Sequence, residues 1–473
     1  MKTNTTSGSA PVALAELARL PAARAHEVIL GALLFAAVAA SAANAQGADE
    51  AHADSGSARW HPMLLGTQMD FIHQRLLPFH ARYSGDNSLQ SGGDEKTSEA
   101  YGLYAGLRVT RGLEGYLDVE MVRGKGVSRT VGLAGITNGD VIRQGSADLG
   151  DGPYIARGFF RYTIGLGSAL DTLGRTIDQL PQVADASRLE ITAGKFALSD
   201  LFDVNRYANS TRLQFMNWGL FQNTAWDYAA DTRGYSNGVA VGWIHPHWTL
   251  RAAAMQMPLK ANGNVFDSDL GRAHGFNAEL EEHVDATGTI VRLLAYENEA
   301  RMGLYSEALG VAGTAVPNIV LDDKPGWYKY GWGVNVEQPL GDSGETGAFF
   351  RYGWGDGAGE SFVFTESDRH LSAGLQLSGV HWGRGEDRLG IATVIDGVVK
   401  TRQQYLERGG DGFLLGDGGL TYGDEQIVEA YYRVQWGRFM EVSPDIQYII
   451  NPGYNRDRGP ATVMSVRLNV RYQ

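Results

Sequence analysis

The densest collection of groups able to do chemistry lies in residues 196–235. It opens with Phe196-Ala197-Leu198-Ser199-Asp200-Leu201-Phe202-Asp203 and continues through Asn205-Arg206-Tyr207 to Thr211-Arg212-Leu213-Gln214-Phe215-Met216-Asn217-Trp218. It closes with Ala225-Trp226-Asp227-Tyr228-Ala229-Ala230-Asp231-Thr232-Arg233-Gly234-Tyr235. Carboxylate, amide and guanidinium groups hydrogen-bond hydroxyls, and aromatic rings stack on the apolar face of a pyranose. Such a mixture suits a small sugar. Asp227 with Asp231 also has the composition of an acid/base pair for glycoside cleavage, though carboxylate pairs arise by chance in an acidic chain.

Other chemistry is sparse. A Gly-x-x-x-x-Gly-Lys-Ser/Thr phosphate loop and a His-Glu-x-x-His zinc helix are both absent. His245-Pro246-His247 is the one close histidine pair, and it reads as a turn surface, since a metal site needs further ligands. Gly409-Gly410-Asp411-Gly412 and Gly416-Asp417-Gly418-Gly419 resemble a single fragment of a calcium-binding repeat, and read first as flexible loop. With no cysteine among 473 residues there is neither a disulfide framework nor thiolate chemistry. No cofactor is implied. The net charge of −13 argues against a nucleic-acid partner, which needs clustered basic surface.

The elements that must position these groups read as membrane strands. Residues 1–45 look like an export signal: Arg19 and Arg24 precede the apolar stretch 28–40, and Ala43-Asn44-Ala45 is a small-x-small cleavage site. Residues 46–62 read as a flexible lead-in and 63–473 as the folded domain. Beyond Ala45 no run of about 18 apolar residues occurs, so no spanning helix is expected. A membrane protein without such helices must be a closed barrel, because only closure satisfies every backbone group in lipid.

Sixteen strand-like segments follow, near 63–72, 98–109, 113–122, 155–165, 188–197, 235–244, 247–257, 276–284, 289–298, 327–338, 345–354, 371–382, 387–396, 425–436, 439–450 and 462–472. The last is the clearest. Met464, Val466, Leu468, Val470 and Tyr472 alternate with Ser465, Arg467, Asn469 and Arg471, which puts one set toward lipid and the other toward a wet lumen. Leu113, Leu117, Val119 and Met121 oppose Glu114, Asp118 and Glu120 in the same way. Tyr101, Tyr116, Trp243, Trp248, Trp327, Trp354, Trp382, Trp436 and Tyr472 sit toward segment ends, where interfacial girdles form.

Tight turns alternate with long connections, which is the plan of periplasmic turns and external loops. The stretch 166–187 breaks the alternation: it is long but falls on the short-turn side, and 169–177 reads as a short helix there. Residues 198–234 are the third long loop, and folded inward such a loop is a filter. The alternative is a loop that covers the rim or packs on the inner wall.

At these residues the chain resembles the carbohydrate-selective porins, the glucose-porin type. The likeness is carried by 196–203, by Gln214-Phe215-Met216-Asn217-Trp218, and by Trp226-Asp227-Tyr228-Ala229-Ala230-Asp231-Thr232-Arg233-Gly234-Tyr235. Pro444-Asp445-Ile446-Gln447-Tyr448-Ile449-Ile450-Asn451-Pro452-Gly453, the 83–89 loop and Gly135-Ile136-Thr137-Asn138-Gly139 extend it over most of the chain. Gln473, not an aromatic residue, is last.

The resemblance implies an all-β, transmembrane antiparallel barrel of about sixteen strands that passes mono- or small oligosaccharides across the outer membrane. The polar faces supply candidate lining residues: Arg108, Glu120, Arg157, Arg161, Arg292, Arg351, Arg433 and Arg467. Arg206, Arg212, Trp218, Asp227 and Arg233 are candidates to close the eyelet from the loop. For each arginine the competing role is a salt bridge that stiffens the wall. The implied partners are small carbohydrates, outer-membrane lipid and lipopolysaccharide, and the barrel-assembly machinery, with the chain a monomer or a homotrimer. The rival functions are a general diffusion porin without sugar preference, an outer-membrane enzyme acting on polysaccharide, and a plugged structural barrel.

Overall fold

The computed structural model describes residues 63–141, 149–167, 169–284, 286–362 and 366–472. The expected export signal over 1–45, the expected 46–62 lead-in and Gln473 lie outside the described residues. Sixteen strands close on themselves: β1 (Met63–Leu76), β2 (Asp94–Thr110), β3 (Leu113–Gly124), β4 (Tyr154–Gly165), β7 (Arg188–Phe196), β8 (Ser236–His245), β9 (Trp248–Gln256), β10 (His274–Val284), β11 (Thr289–Met302), β12 (Lys324–Gly341), β13 (Thr346–Gly355), β14 (Arg369–Ser378), β15 (Arg388–Gly397), β16 (Glu425–Trp436), β17 (Met440–Ile450) and β18 (Ala461–Tyr472). β5 (Leu170–Leu173) and β6 (Gln182–Asp185) form a separate hairpin. Each barrel strand is antiparallel to its sequence neighbour in the barrel, and β1 closes on β18 from Thr67↔Tyr472 to Leu76↔Val463. Closure leaves no edge strand to expose unpaired amides to lipid.

Period two sorts the side chains. On β3, Leu117 is exposed on the outer wall while Glu114, Asp118 and Glu120 are buried on the inner one. On β18, Met464 faces out while Ser465, Arg467 and Asn469 are buried inside. Two aromatics expected in the girdles turn the other way. Tyr116 shares the inward parity of Glu114 and Asp118, stacks on Phe159 at 5.0 Å, and is buried. Trp327 packs against the interior cluster. Trp243, Trp382 and Trp436 are exposed on the outer face.

Three local departures matter. Strand β14 stops at Ser378, four residues short of the expected 382, because a 3-10 turn, Gly379–Trp382, follows with the Ser378 hydroxyl accepting from the Val380 amide. In β4 the register against β3 slips between Asp118↔Arg157 and Val119↔Ile155, so one extra residue is taken up. That β-bulge lets Ile155 face out although Arg157, Phe159 and Arg161 face in.

The third departure corrects the expected helix. Residues 169–177 do not form one: Leu170–Leu173 is a strand paired with Gln182–Asp185 on the short-turn rim. Propensity alone misled, because Leu173-Gly174 and the partner strand cannot be weighed from one segment.

The lumen is far from empty. Residues 127–141 and 197–235 both fold into it and meet there. The Gly139 amide donates to the Met216 carbonyl at 2.9 Å, and the Trp218 amide to the Ile136 carbonyl at 3.0 Å. Phe196, Leu198, Phe202, Trp218, Trp226 and Tyr228 build an apolar cluster inside the barrel, packed on wall residues such as Phe159, Met255 and Tyr296. The inward loop thus carries its own small core and stands as a folded object in the channel.

Candidate functional site: a constricted lumen

The inward loop is held by charges that period two places on the inner wall. Arg351 of β13 is fully buried. It pairs with Asp203 at 3.1 Å and donates to the carbonyls of Asp203, Ala208 and Leu220. Arg467 of β18, also fully buried, donates to the carbonyls of Thr211 at 2.6 Å and Gln214 at 2.9 Å. Arg433 of β16 reaches the Leu213 carbonyl at 3.5 Å. Glu429 accepts from the Met216 and Asn217 amides at 2.5 and 2.9 Å.

A loop buried in a channel carries backbone groups that water cannot satisfy. The wall supplies the missing donors and acceptors, and charged partners make those bonds strong. Asn217 then caps the one-turn helix Trp218–Phe221 by accepting from the Gly219 amide at 2.9 Å.

Beside the loop runs an open cavity of about 700 Å³. Glu120 of β3 is its acidic centre. It accepts from Arg212 at 3.2 Å, from the Tyr154 hydroxyl at 3.2 Å and from the Tyr235 hydroxyl at 2.9 Å. Arg212 also donates to Asp140 at 2.6 Å and to the Tyr104 hydroxyl at 3.0 Å. Burial works against the charge on Arg212, but the carboxylates of Asp140 and Glu120 outweigh it and raise its pKa well above the usual guanidinium range.

Arg157 is a second centre. It makes two bonds to Asp200 of the loop, at 2.6 and 2.7 Å, and one to Asp118 at 3.3 Å, and its guanidinium lies 5.2 Å from the Tyr235 ring centre. Arg233 covers the Tyr154 ring at 4.1 Å, and Arg161 the Tyr116 ring at 5.2 Å. Guanidinium, carboxylate and phenol groups therefore alternate with the faces of Tyr154, Phe159, Trp218 and Phe221 around one wet space.

The candidate residues divide by position. Glu120, Arg157, Arg161, Arg212, Trp218 and Arg233 border this cavity. Arg108, Arg206, Asp227, Arg292, Arg351, Arg433 and Arg467 do not, because each is turned to another partner or lies behind the loop. Arg108 pairs with Glu114 at 2.8 Å, and Arg292 lies between Glu281 at 2.7 Å and Glu337 at 3.1 Å. Arg206 is exposed, with its amide donating to Glu337 and its guanidinium beside Gly344 on the short-turn rim.

Asp227 is buried, ion-paired with Lys329 at 3.1 Å, and accepts the Phe362 amide at 3.0 Å. Asp231 accepts from the Arg233 and Tyr235 amides and pairs with Lys195 at 3.4 Å. Both carboxylates of the would-be acid/base pair are thus engaged in holding loops together.

Gly234-Tyr235-Ser236-Asn237-Gly238 has the outline of a nucleophile elbow, but Ser236 opens strand β8, is buried, and donates its hydroxyl to the Gln256 carbonyl at 2.6 Å. The histidine pair is a turn, with the His245 ring stacked on Trp248 at 5.3 Å. Asp417 accepts from Asn455 at 2.9 Å and pairs with Arg458 at 3.4 Å, and among the described residues no group of three or more carboxylates and histidines is poised for a metal.

Sequence reasoning missed Asp140, Tyr154, Asp178, Asp200 and Tyr235 as lining residues. Tyr235 and Asp200 were within the quoted motifs. Asp140 and Asp178 carried no signal, since both reach the cavity from loops.

A closed barrel narrowed by an inward loop, with a charged and ring-lined passage beside it, defines a porin-type channel. The profile of the carbohydrate-selective porin, OprB family matches residues 99–472, and the chain belongs to that family. Pseudomonas putida OprB, in its high-pH structure, is 16% identical and superposes with a TM-score of 0.62 over 87% of this chain and 94% of that one. The low-pH structure of the same protein gives 13% identity and a TM-score of 0.47 over 87% and 93%. Salmonella typhi OmpF, in complex with daunomycin, is 11% identical with a TM-score of 0.46 over 87% of this chain and 97% of that one. The first of these supports the fold. No curated protein sequence matches the chain.

Proposed function

We propose that the chain passes small sugars through the outer membrane by passive, carbohydrate-selective diffusion. The observation that carries this reading is the lining of the 700 Å³ cavity, where Glu120, Arg157, Arg212 and the Tyr154 and Tyr235 hydroxyls stand among ring faces. Sugar hydroxyls exchange hydrogen bonds with such groups, and the apolar face of a pyranose slides over rings. A channel must also release its solute, so contacts should be many and weak. Glu120, Arg157, Arg161, Arg212, Trp218 and Arg233 are the contact set. Arg351, Arg433 and Arg467 act from behind by holding the loop.

Export by a signal cleaved after Ala45, insertion by the barrel-assembly machinery, contact with lipopolysaccharide and assembly as a monomer or homotrimer all belong to this reading.

The test is single-channel conductance in planar bilayers with graded sugar. Dose-dependent block is expected, with swelling of liposomes faster for small sugars than for uncharged solutes of equal size. Conductance that no sugar reduces would replace the reading with a general diffusion porin.

A further inference from the structure

We propose that residues 174–181, which enter the lumen from the short-turn rim, form a second, exit-side wall of the filter, so that passage is gated by size and charge from both rims. This deepens the sugar-channel reading and rests on it. The hairpin β5–β6 leaves the rim between β4 and β7 and reaches back over the neighbouring strands of the wall: Arg175 donates to the Leu65 carbonyl of β1 at 2.8 Å, and Gln182 accepts from Arg108 of β2 at 3.4 Å. Its connecting residues then turn inward. Leu180 is fully buried, and its amide donates to the Tyr116 hydroxyl at 3.0 Å. Thr176, Ile177, Asp178 and Gln179 border the same cavity as Glu120 and Arg212.

The contacts of this segment are with the pore arginines. Arg161 donates to the Asp178 carbonyl at 2.9 Å and to the Gln179 side chain at 3.1 Å. Arg157 lies 3.5 Å from the Asp178 carboxylate on one side and 2.6 Å from Asp200 of the external loop on the other. One guanidinium therefore joins an element from each rim. The segment does two things at this node. It fills part of the cross-section, and its carboxylate adds a third acidic partner to Arg157 beside Asp118 and Asp200. A segment that merely stiffened the rim would need neither the inward turn nor a carboxylate at the pore arginine.

The experiment replaces residues 174–181 by Asn-Gly, which joins β5 to β6 by a two-residue hairpin turn and leaves both strands in place. Single-channel conductance is expected to rise by about twofold, and larger neutral polymers to enter the channel, as a widened constriction requires. The ratio of trisaccharide to monosaccharide swelling rates rises with it. Asp178→Asn keeps the length and is expected to move the reversal potential in a salt gradient toward anions without changing the polymer cut-off.

A folded, heat-modifiable barrel with unchanged conductance and cut-off overturns the proposal. Where the shortened chain fails to fold, Asp178→Asn decides, and an unshifted reversal potential overturns it. Polymer exclusion and reversal potential are read in salt alone, so they hold or fail independently of whether any sugar blocks the channel.

Discussion

Arg212 shows how much a single inward side chain carries. It comes from the loop, not the wall, and neutralises Glu120 and Asp140 together at 3.2 and 2.6 Å. Removing it leaves two carboxylates facing the passage with one fewer cation. Arg212→Ala is expected to make the channel more cation-selective, by roughly twofold in permeability ratio, as rings of acidic side chains do. The reversal potential in a salt gradient reads this directly, and no shift would place Arg212 off the conducting path. Arg351 differs in kind, because its donors all go to Asp203 and to loop carbonyls. Its loss would leave Asp203 buried without its cation, a change that costs about 3–5 kcal/mol when one partner of a buried pair is removed.

Among the elements, the external loops are fastened to each other as well as to the wall. The loop before β12 and the loop after β13 meet where the Glu360 amide donates to the Gly303 carbonyl at 3.1 Å and the Glu360 carboxyl accepts from the Gly303 amide at 3.4 Å. Burial, together with the nearby Asp323 carboxylate, pushes the Glu360 pKa up to about 8, with the Gly303 amide and Lys329 opposing and Asp227 adding to the rise. A carboxyl raised in this way is protonated in the folded loop and ionised in the unfolded one between its two pKa values. The packing is therefore firmest below the ordinary carboxylate range and weakens as pH rises toward 8. Proteolytic nicking of residues 303–323 should accelerate over that interval, and Glu360→Gln should flatten the profile. A rate that stays level in the native protein would refute the assignment. At the same scale, the bulge in β4 is what brings Arg157 and Arg161 to one side while Ile155 stays in lipid.

For the whole molecule, the outer wall is the solvent boundary. Leu293 of β11 lies exposed between Val291 and Ala295 on the lipid face, with Arg292 buried on the inner one. Leu293→Arg is expected to cost about 2–4 kcal/mol near the membrane midplane, and less nearer the interfaces. Urea-dependent folding into lipid vesicles measures that loss, and an unchanged midpoint would mean the face does not meet hydrocarbon.

The chain by itself determined the barrel. Alternation along β3, β12, β16 and β18 is local information, since period two reports which side of a strand a residue takes whatever else surrounds it. Loop and turn lengths are equally local, and they set the two rims.

The tertiary structure alone decided what each inward charge meets. Arg157 and Arg351 look alike on their strands, yet one borders the passage and the other clamps a loop carbonyl, because residues distant in the chain come to lie against them. The same reason hid Asp140 and Asp178, which reach the lumen from loops with no periodicity to read, and turned an expected helix at 169–177 into a hairpin whose partner strand lies nine residues further on. The side of the wall is a property of the backbone pleat. The contact on that side is a property of packing, and packing is non-local.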